Sequence, residues 1–295
     1  MAGFLAEVGA KLADRWAALL AVPGLLYLAA ATAAAVLGQR RALDYGELSR
    51  DIEAWAAGPS LRAAGGAALI AAAVLAASLA LGLVAAAGGR LVEIVWTASG
   101  EHPPGRWLTD RRRQRSARFK AVADSSIDPA TVRAAIAEAD RICLIEPGRP
   151  TWIGDRLRAG QVRVERTYGL DLSAAWPRLW LSVPDTVRAE LAGAGDAFGA
   201  SARLTAWAGF YLILGVWWWP ALLIGAGAAV AGVERGRVAA GNLADLIEAT
   251  VDLHGAELTR LLGQRTEGSL DQATGRRITT LMLKSRWDPE SPLAQ

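Results

Sequence analysis

Three stretches of this chain, 17–37, 64–87 and 204–233, contain no Asp, Glu, Lys, Arg or His. Uncharged apolar runs of about 18 residues or more read as membrane-spanning helices rather than as globular core. That constraint sorts the rest of the chain, because the segments between the runs are rich in Arg, Asp and Glu and belong outside the hydrocarbon. Inside the runs the polar side chains are few, chiefly Thr32, Ser78 and Thr205. The pattern predicts a mainly α-helical integral membrane protein with about four transmembrane helices and a small helical cytoplasmic domain.

The third run decides the crossing number. Trp217, Trp218, Trp219 and Pro220 sit at its centre, Arg203 precedes it, and Arg235 and Arg237 follow it. One straight helix of that length would measure about 45 Å, against a hydrocarbon thickness of about 30 Å. Trp prefers the membrane interface to the bilayer centre, and Arg beside a span favours the cytoplasmic side. Both flanks therefore ask for the same side. The expectation is a hairpin with arms over 198–217 and 220–234 and its turn at the outer interface; one tilted crossing is the alternative.

Arg90, Arg106 and the run Arg111, Arg112, Arg113, Arg115, Arg118 and Lys120 place the segment after the second run in the cytoplasm, outweighing Arg40 and Arg41 before it. The layout is an N-terminal part over 1–88, a cytoplasmic domain over 89–203, a transmembrane hairpin over 204–234 and a cytoplasmic helix with tail over 235–295. The protein is expected in the cell membrane, multi-pass, with both termini cytoplasmic. Residues 1–16 carry Phe4, Leu5, Val8 and Leu12 opposite Glu7, Lys11 and Asp14, which is the spacing of an amphipathic helix. A signal peptide is the rival reading there, because the AAATAAA tract offers A-x-A sites.

Several soluble helices are predicted. One spans 44–57, with Tyr45 and Trp55 at the interface, and a juxtamembrane helix holds Arg90, Leu91, Glu93, Ile94 and Trp96. HPPG at 102–105 breaks the chain. A helix over 128–145 has Asp128 as N-cap and Pro129 in its first turn, with Val132, Ala135, Ile136 and Ala139 on one face. Ser182 and Asp185 have the spacing of a capping box. Leu243, Leu246, Ile247, Val251, Leu258, Leu261 and Leu262 form an amphipathic stripe that Gly263 ends. The tail with Trp287, Pro289 and Pro292 is expected to be poorly ordered at its end.

The densest cluster of unusual residues is 150–184. Asp155, Glu165 and Asp171 are candidates for acid or base chemistry. Trp176 and Trp180 lie four apart and share a helical face. With Thr151, Arg178 and His254, these are the ligand or partner candidates. The plainer reading is a small domain whose Trp face docks on the membrane helices. His254, beside Asp252 on the last apolar stripe, reads as a packed interface residue more readily than as a proton carrier.

Pro150, Thr151, Gly154 and Asp155, then Tyr168, Gly169 and Asp171, then Trp176, Pro177, Arg178, Leu179 and Trp180 make a PTxxGD…YGLD…WPRLW pattern. It resembles an uncharacterised group of bacterial, largely actinobacterial, integral membrane proteins, some labelled vegetative cell wall proteins. The apolar run and VDLHG at 251–255 extend the likeness over most of the chain. Members of that group often carry Asn where Asp155 stands, which argues against a catalytic carboxylate there. The resemblance implies a membrane location and no particular activity.

Composition removes several functions. A net charge of +3 and the lack of a recognition or stacking motif speak against nucleic acid. The single Cys143 excludes an internal disulfide, and no Cys/His metal spacing occurs. Gly148 and Gly275 lack the context of a phosphate loop, and no cofactor is implied. A non-enzymatic scaffold or partner-binding membrane component fits best. An oligomeric channel or transporter component is the alternative, though the runs lack the ionisable residues that mark ion pathways. A membrane-bound enzyme with a cytoplasmic-face site comes third. The expected partners are the bilayer, with anionic lipid head groups at the arginine run, and a protein partner or second copy of the chain.

Overall fold

A computed structural model of the chain describes residues 21–58, 64–142, 146–264 and 270–283. The described residues form ten helices and no strand. They are α1 (Ala21–Leu37), α2 (Tyr45–Ala56), α3 (Ala64–Thr97), α4 (Gly105–Ser125), α5 (Pro129–Ile142), α6 (Trp152–Tyr168), α7 (Leu172–Ser182), α8 (Asp185–Leu214), α9 (Pro220–Leu261) and α10 (Gln272–Met282). The fold is mainly helical, as the periodicity predicts. Among the described residues one helix is long and apolar enough to cross a membrane, Gly65–Thr97, with a mean hydropathy of 2.5. The apolar α1 is shorter. The expected helix over 1–16 and the tail with Trp287, Pro289 and Pro292 lie outside the described residues.

Several boundaries differ from expectation. The second run and the juxtamembrane segment are one helix, α3, because nothing in LVEIVW breaks helical propensity after Arg90. The apolar arm 220–233 and the stripe 243–262 are likewise one helix, α9, which ends at Leu261 before Gly263, at φ 75°. The capping box at Ser182 does not form. Ser182 closes α7 by donating from Oγ to the Leu179 carbonyl, and α8 starts beyond Pro184, which cannot continue a helix. Asp128 does cap α5, accepting from the Thr131 and Ala130 amides. On that helix Ala135 and Ala139 are buried, but Ile136 is exposed.

By contacts the chain divides into two units. The first comprises Met1–Glu93 and Gly199–Glu234. Its interior is mostly small residues: Ala34, Ser78, Ala85, Ala208 and Ala221 are buried, with Leu37 and Leu214 the larger exceptions. Large apolar side chains face outward, among them Leu69, Leu75, Leu83, Ile213 and Leu223. Ser78 Oγ donates to the Ala21 carbonyl, tying α3 to α1. Tyr27 on α1 meets Trp207, Phe210 and Tyr211 of α8, with ring centroids 5.3–6.0 Å apart.

The third apolar run is a helix–turn–helix within this unit. α8 ends at Leu214, earlier than the expected 217, and α9 begins at Pro220. A Cβ on Gly225 would lie 2.9 Å from the Leu212 amide nitrogen, so the arms approach as closely as glycine permits. Gln39 holds the turn. Its Nε2 donates to the carbonyls of Gly215 and Val216, and its Oε1 accepts from the Trp219 amide. Trp218 Nε1 donates to the Ala42 carbonyl.

The second unit comprises Ile94–Phe198 and Arg235–Gln295. Its core joins Val164 of α6, Leu172, Ala175 and Leu179 of α7, Val251 and Leu258 of α9, and Ile278 and Met282 of α10. All eight are less than a tenth exposed, and burial of such side chains stabilises by about 1.5–3 kcal/mol each for the larger ones. α4 and α5 pack together as a helical hairpin in the same unit.

Candidate functional site

The PTWIGD segment builds a buried polar lock in the second unit. Thr151 is the N-cap of α6: its Oγ1 accepts from the Gly154 amide at 2.9 Å and donates to the Trp96 carbonyl at the end of α3. A Cβ on Gly154 would stand 2.7 Å from that same Trp96 oxygen, so the close approach requires glycine. Asp155, in the first turn of α6, is 1% exposed. Its Oδ1 accepts from the Gly148 and Arg149 amides, both at 2.8 Å, and its Oδ2 accepts from Arg112 Nη1 at 2.6 Å. Arg112 also reaches the Arg149 carbonyl, and Arg149 reaches back to the Thr97 carbonyl. A carboxylate with three charge-assisted or backbone donors is a structural anchor. Both lone pairs of Oδ1 and one of Oδ2 are taken by these donors.

The YGLD and WPRLW segments serve the fold in similar ways. Gly169 takes a left-handed conformation at φ 64° and ends α6. Asp171 caps α7 through the Ser173 and Ala174 amides, and its own amide donates to Thr279 Oγ1 of α10. Leu179 is fully buried, and Trp176 packs against the core. The Trp176 and Trp180 rings share one side of α7 with centroids 6.1 Å apart. Arg178 Nη1 donates to the Ala174 carbonyl one turn back.

Glu165 is exposed and faces a shallow groove with Arg166, Gln272 and Arg276. It lies ten positions from Asp155 on the same helix, about 15 Å along the axis. These two of the three acid or base candidates are therefore not brought together. His254 is half-buried at the rim of an apolar cleft of about 220 Å³ formed with Val187, Leu191, Leu246 and Leu253, and its Nδ1 lies 3.9 Å from Glu257. Among the described residues, no group of three His, Cys, Asp or Glu side chains is placed to hold a metal ion.

A polar ladder between α6 and α9 is not anticipated from the sequence. Arg156 meets Asp245 at 2.6 Å, Arg163 grips Glu248 through Nε and Nη2, and the Tyr168 hydroxyl donates to Asp252 at 2.8 Å. The hydrogen bond to Glu248 raises the Arg163 pKa, and the one to Asp252 raises that of Tyr168. No local signal marks it, because Arg156 with Asp245, Arg163 with Glu248 and Tyr168 with Asp252 pair positions more than eighty residues apart.

The basic run on α4 splits in two. Arg112 belongs to the Asp155 lock, and Arg113 Nε donates to the Pro147 carbonyl while its Nη1 lies 3.5 Å from Asp110. These two were expected at lipid head groups and are instead used by the fold, since the α6 N-terminal loop presents its carbonyls and Asp155 to them. Arg111, Arg115, Arg118 and Lys120 are exposed. The first three line a groove with Gln114, Phe119 and Val122, and Arg111 sits over the Trp107 ring at 5.5 Å.

No family model, curated protein or solved structure matches this chain.

Proposed function

We propose that this is a multi-pass protein of the cell membrane that works as a non-enzymatic scaffold or partner-binding component. The observation that carries the reading is the inverted first unit. Ser78 and Ala221 are fully buried there while Leu69 is 73% and Leu83 61% exposed. In water such a distribution exposes far more contiguous apolar surface than a soluble monomer tolerates. In lipid it is the expected arrangement, since small residues let membrane helices approach and large ones face the tails.

Four crossings account for the apolar segments: α1, α3 and the two hairpin arms. Each arm reaches a charged residue, Arg203 or Glu234, before the 18 residues of a self-sufficient span. Each continues as helix beyond that residue, and long charged side chains near helix ends snorkel to the interface. The arginines of α4 favour a cytoplasmic second unit and cytoplasmic termini. The likeness of the PTWIGD, YGLD and WPRLW motifs to the actinobacterial membrane group points the same way. A scaffold is favoured over an enzyme because Asp155 and Asp171 are both engaged as structural anchors.

Topology is tested with Trp219→Cys and Arg237→Cys, each in a Cys143→Ser background, labelled by an impermeant maleimide in intact cells and in inverted vesicles. Trp219→Cys should react from outside and Arg237→Cys from the cytoplasmic side. Labelling of Arg237→Cys in intact cells would overturn the four-crossing reading.

A further inference from the structure

Positions 107, 111, 115, 118 and 122 recur at four, four, three and four along α4, which puts them on one side of the helix. That side combines two chemistries. Arg111, Arg115 and Arg118 are exposed cations, and between them lie Trp107, 61% exposed, Phe119, and Val122, 46% exposed. The three arginines, Phe119 and Val122 border a groove of about 650 Å³, and Trp107 lies beside it under the Arg111 guanidinium. The acids of the helix, Asp110 and Asp124, fall away from this side, and Asp110 already lies beside Arg113. A face built only for water would mix charges of both signs and would not hold an indole in solvent with a half-buried phenyl ring and an exposed valine beside it.

We propose that this face of α4 docks on the anionic phospholipid head groups of the bilayer that α3 enters. The inference rests on the membrane reading above. Charge complementarity supports it: three guanidinium groups with no acid on their side match phosphodiesters, each capable of a bidentate contact. The rings supply the second half of interfacial binding, since Trp and Phe settle below the phosphates while Arg reaches up to them. The chain also keeps α4 within reach. Residues 98–104 join Thr97 to Gly105 and span no more than about 29 Å even when fully extended. The split of the basic run fits the same division, because Arg112 and Arg113 point into the unit while Arg111, Arg115 and Arg118 point out.

The test uses the full chain, Cys143→Ser with Val122→Cys, labelled with an environment-sensitive fluorophore. It is reconstituted into vesicles of phosphatidylcholine alone or with phosphatidylglycerol, both carrying brominated acyl chains. The label should be quenched only when phosphatidylglycerol is present, and less so as salt rises. Replacing Arg111, Arg115 and Arg118 by Gln should weaken the dependence on phosphatidylglycerol by roughly five-fold per residue. Replacing the same three by Lys should retain most of it, which separates lost charge from lost folding. Equal quenching in neutral and anionic vesicles, no quenching in either, or shielding of the label by added RNA in place of lipid overturns the proposal. Co-flotation of the chain with vesicles is scored in the same samples. A chain that floats with an unquenched label sinks only this inference, whereas one that does not float sinks the membrane reading and this inference with it.

Discussion

Asp155 ties α4, the loop before α6 and α6 together through three hydrogen bonds. Removing one partner of a buried ion pair leaves an unpaired charge and typically costs about 3–5 kcal/mol. Arg112 keeps 19% of its side chain accessible, so the lower end applies. Asp155→Ala is expected to destabilise by about 3 kcal/mol, measured as denaturant unfolding of the detergent-solubilised protein by circular dichroism. Asp155→Asn should lose distinctly less, because an amide oxygen still accepts from the Gly148 and Arg149 amides. An equal loss in both would show that the backbone contacts contribute nothing. The two halves of this site differ in how readable they are. A Thr or Asp that opens a helix announces its role within three residues, which is why the Asp128 cap of α5 is legible from sequence. Arg112 lies 43 residues from Asp155, with a helical hairpin between them. Nothing local distinguishes it from Arg111, so the lock looks like a candidate active-site carboxylate beside an unrelated basic run.

At the scale of elements, the hairpin of α8 and α9 is legible because bilayer thickness, Trp preference and flanking arginines all bear on one stretch. The Gln39 bracket that holds its turn is not, since it joins segments 176 or more residues apart. α10 escapes notice for another reason. Gln272–Met282 is short, and its apolar side is only Ile278 and Met282 with help from small residues. It is held by its surroundings: a Cβ on Gly275 would run into the Tyr168 carbonyl, and Thr279 bridges Gly169 and Asp171. Its N-cap gives a pH prediction. Hydrogen bonds from the Thr274 side chain and amide hold the Asp271 carboxyl below the usual carboxylate range. A folded pKa below the unfolded one means the cap's contribution is complete above the ordinary carboxylate range and is lost as pH falls through the folded value. Amide exchange at Thr274, corrected for intrinsic rates, should therefore accelerate below about pH 4. Asp271→Asn, which still caps, should flatten that dependence. A pH profile unchanged by the substitution would assign the acid sensitivity to another group.

For the whole molecule the decisive question is which solvent surrounds the first unit, and one substitution gives opposite answers in the two cases. Leu83 sits in α3 near the middle of Gly65–Thr97, and 61% of it is exposed. If water surrounds it, Leu83→Arg replaces an exposed apolar group with a solvated one, and such surface changes usually alter stability by within about 0.5 kcal/mol. If lipid surrounds it, an arginine at mid-helix costs about 2.5–3.5 kcal/mol on insertion scales. That cost falls on the step that places α3 in the bilayer, not on packing, because no core contact is removed. The expected result is loss of alkali-resistant membrane association for Leu83→Arg, and retention for Leu83→Ile. A control at the opposite extreme is Ser78→Leu, fully buried against α1. It should leave α3 inserted, since it adds hydrophobicity, yet disrupt α1–α3 packing through overcrowding worth about 1–3 kcal/mol. A soluble protein would show the reverse order, with the buried substitution lowering yield and the exposed one silent. The pair therefore separates insertion from assembly. It also separates what a sequence can carry at this scale from what it cannot: in a bilayer the outward face of a helix is fixed by solvent alone, while its inward face must be matched to partners that only the fold reveals.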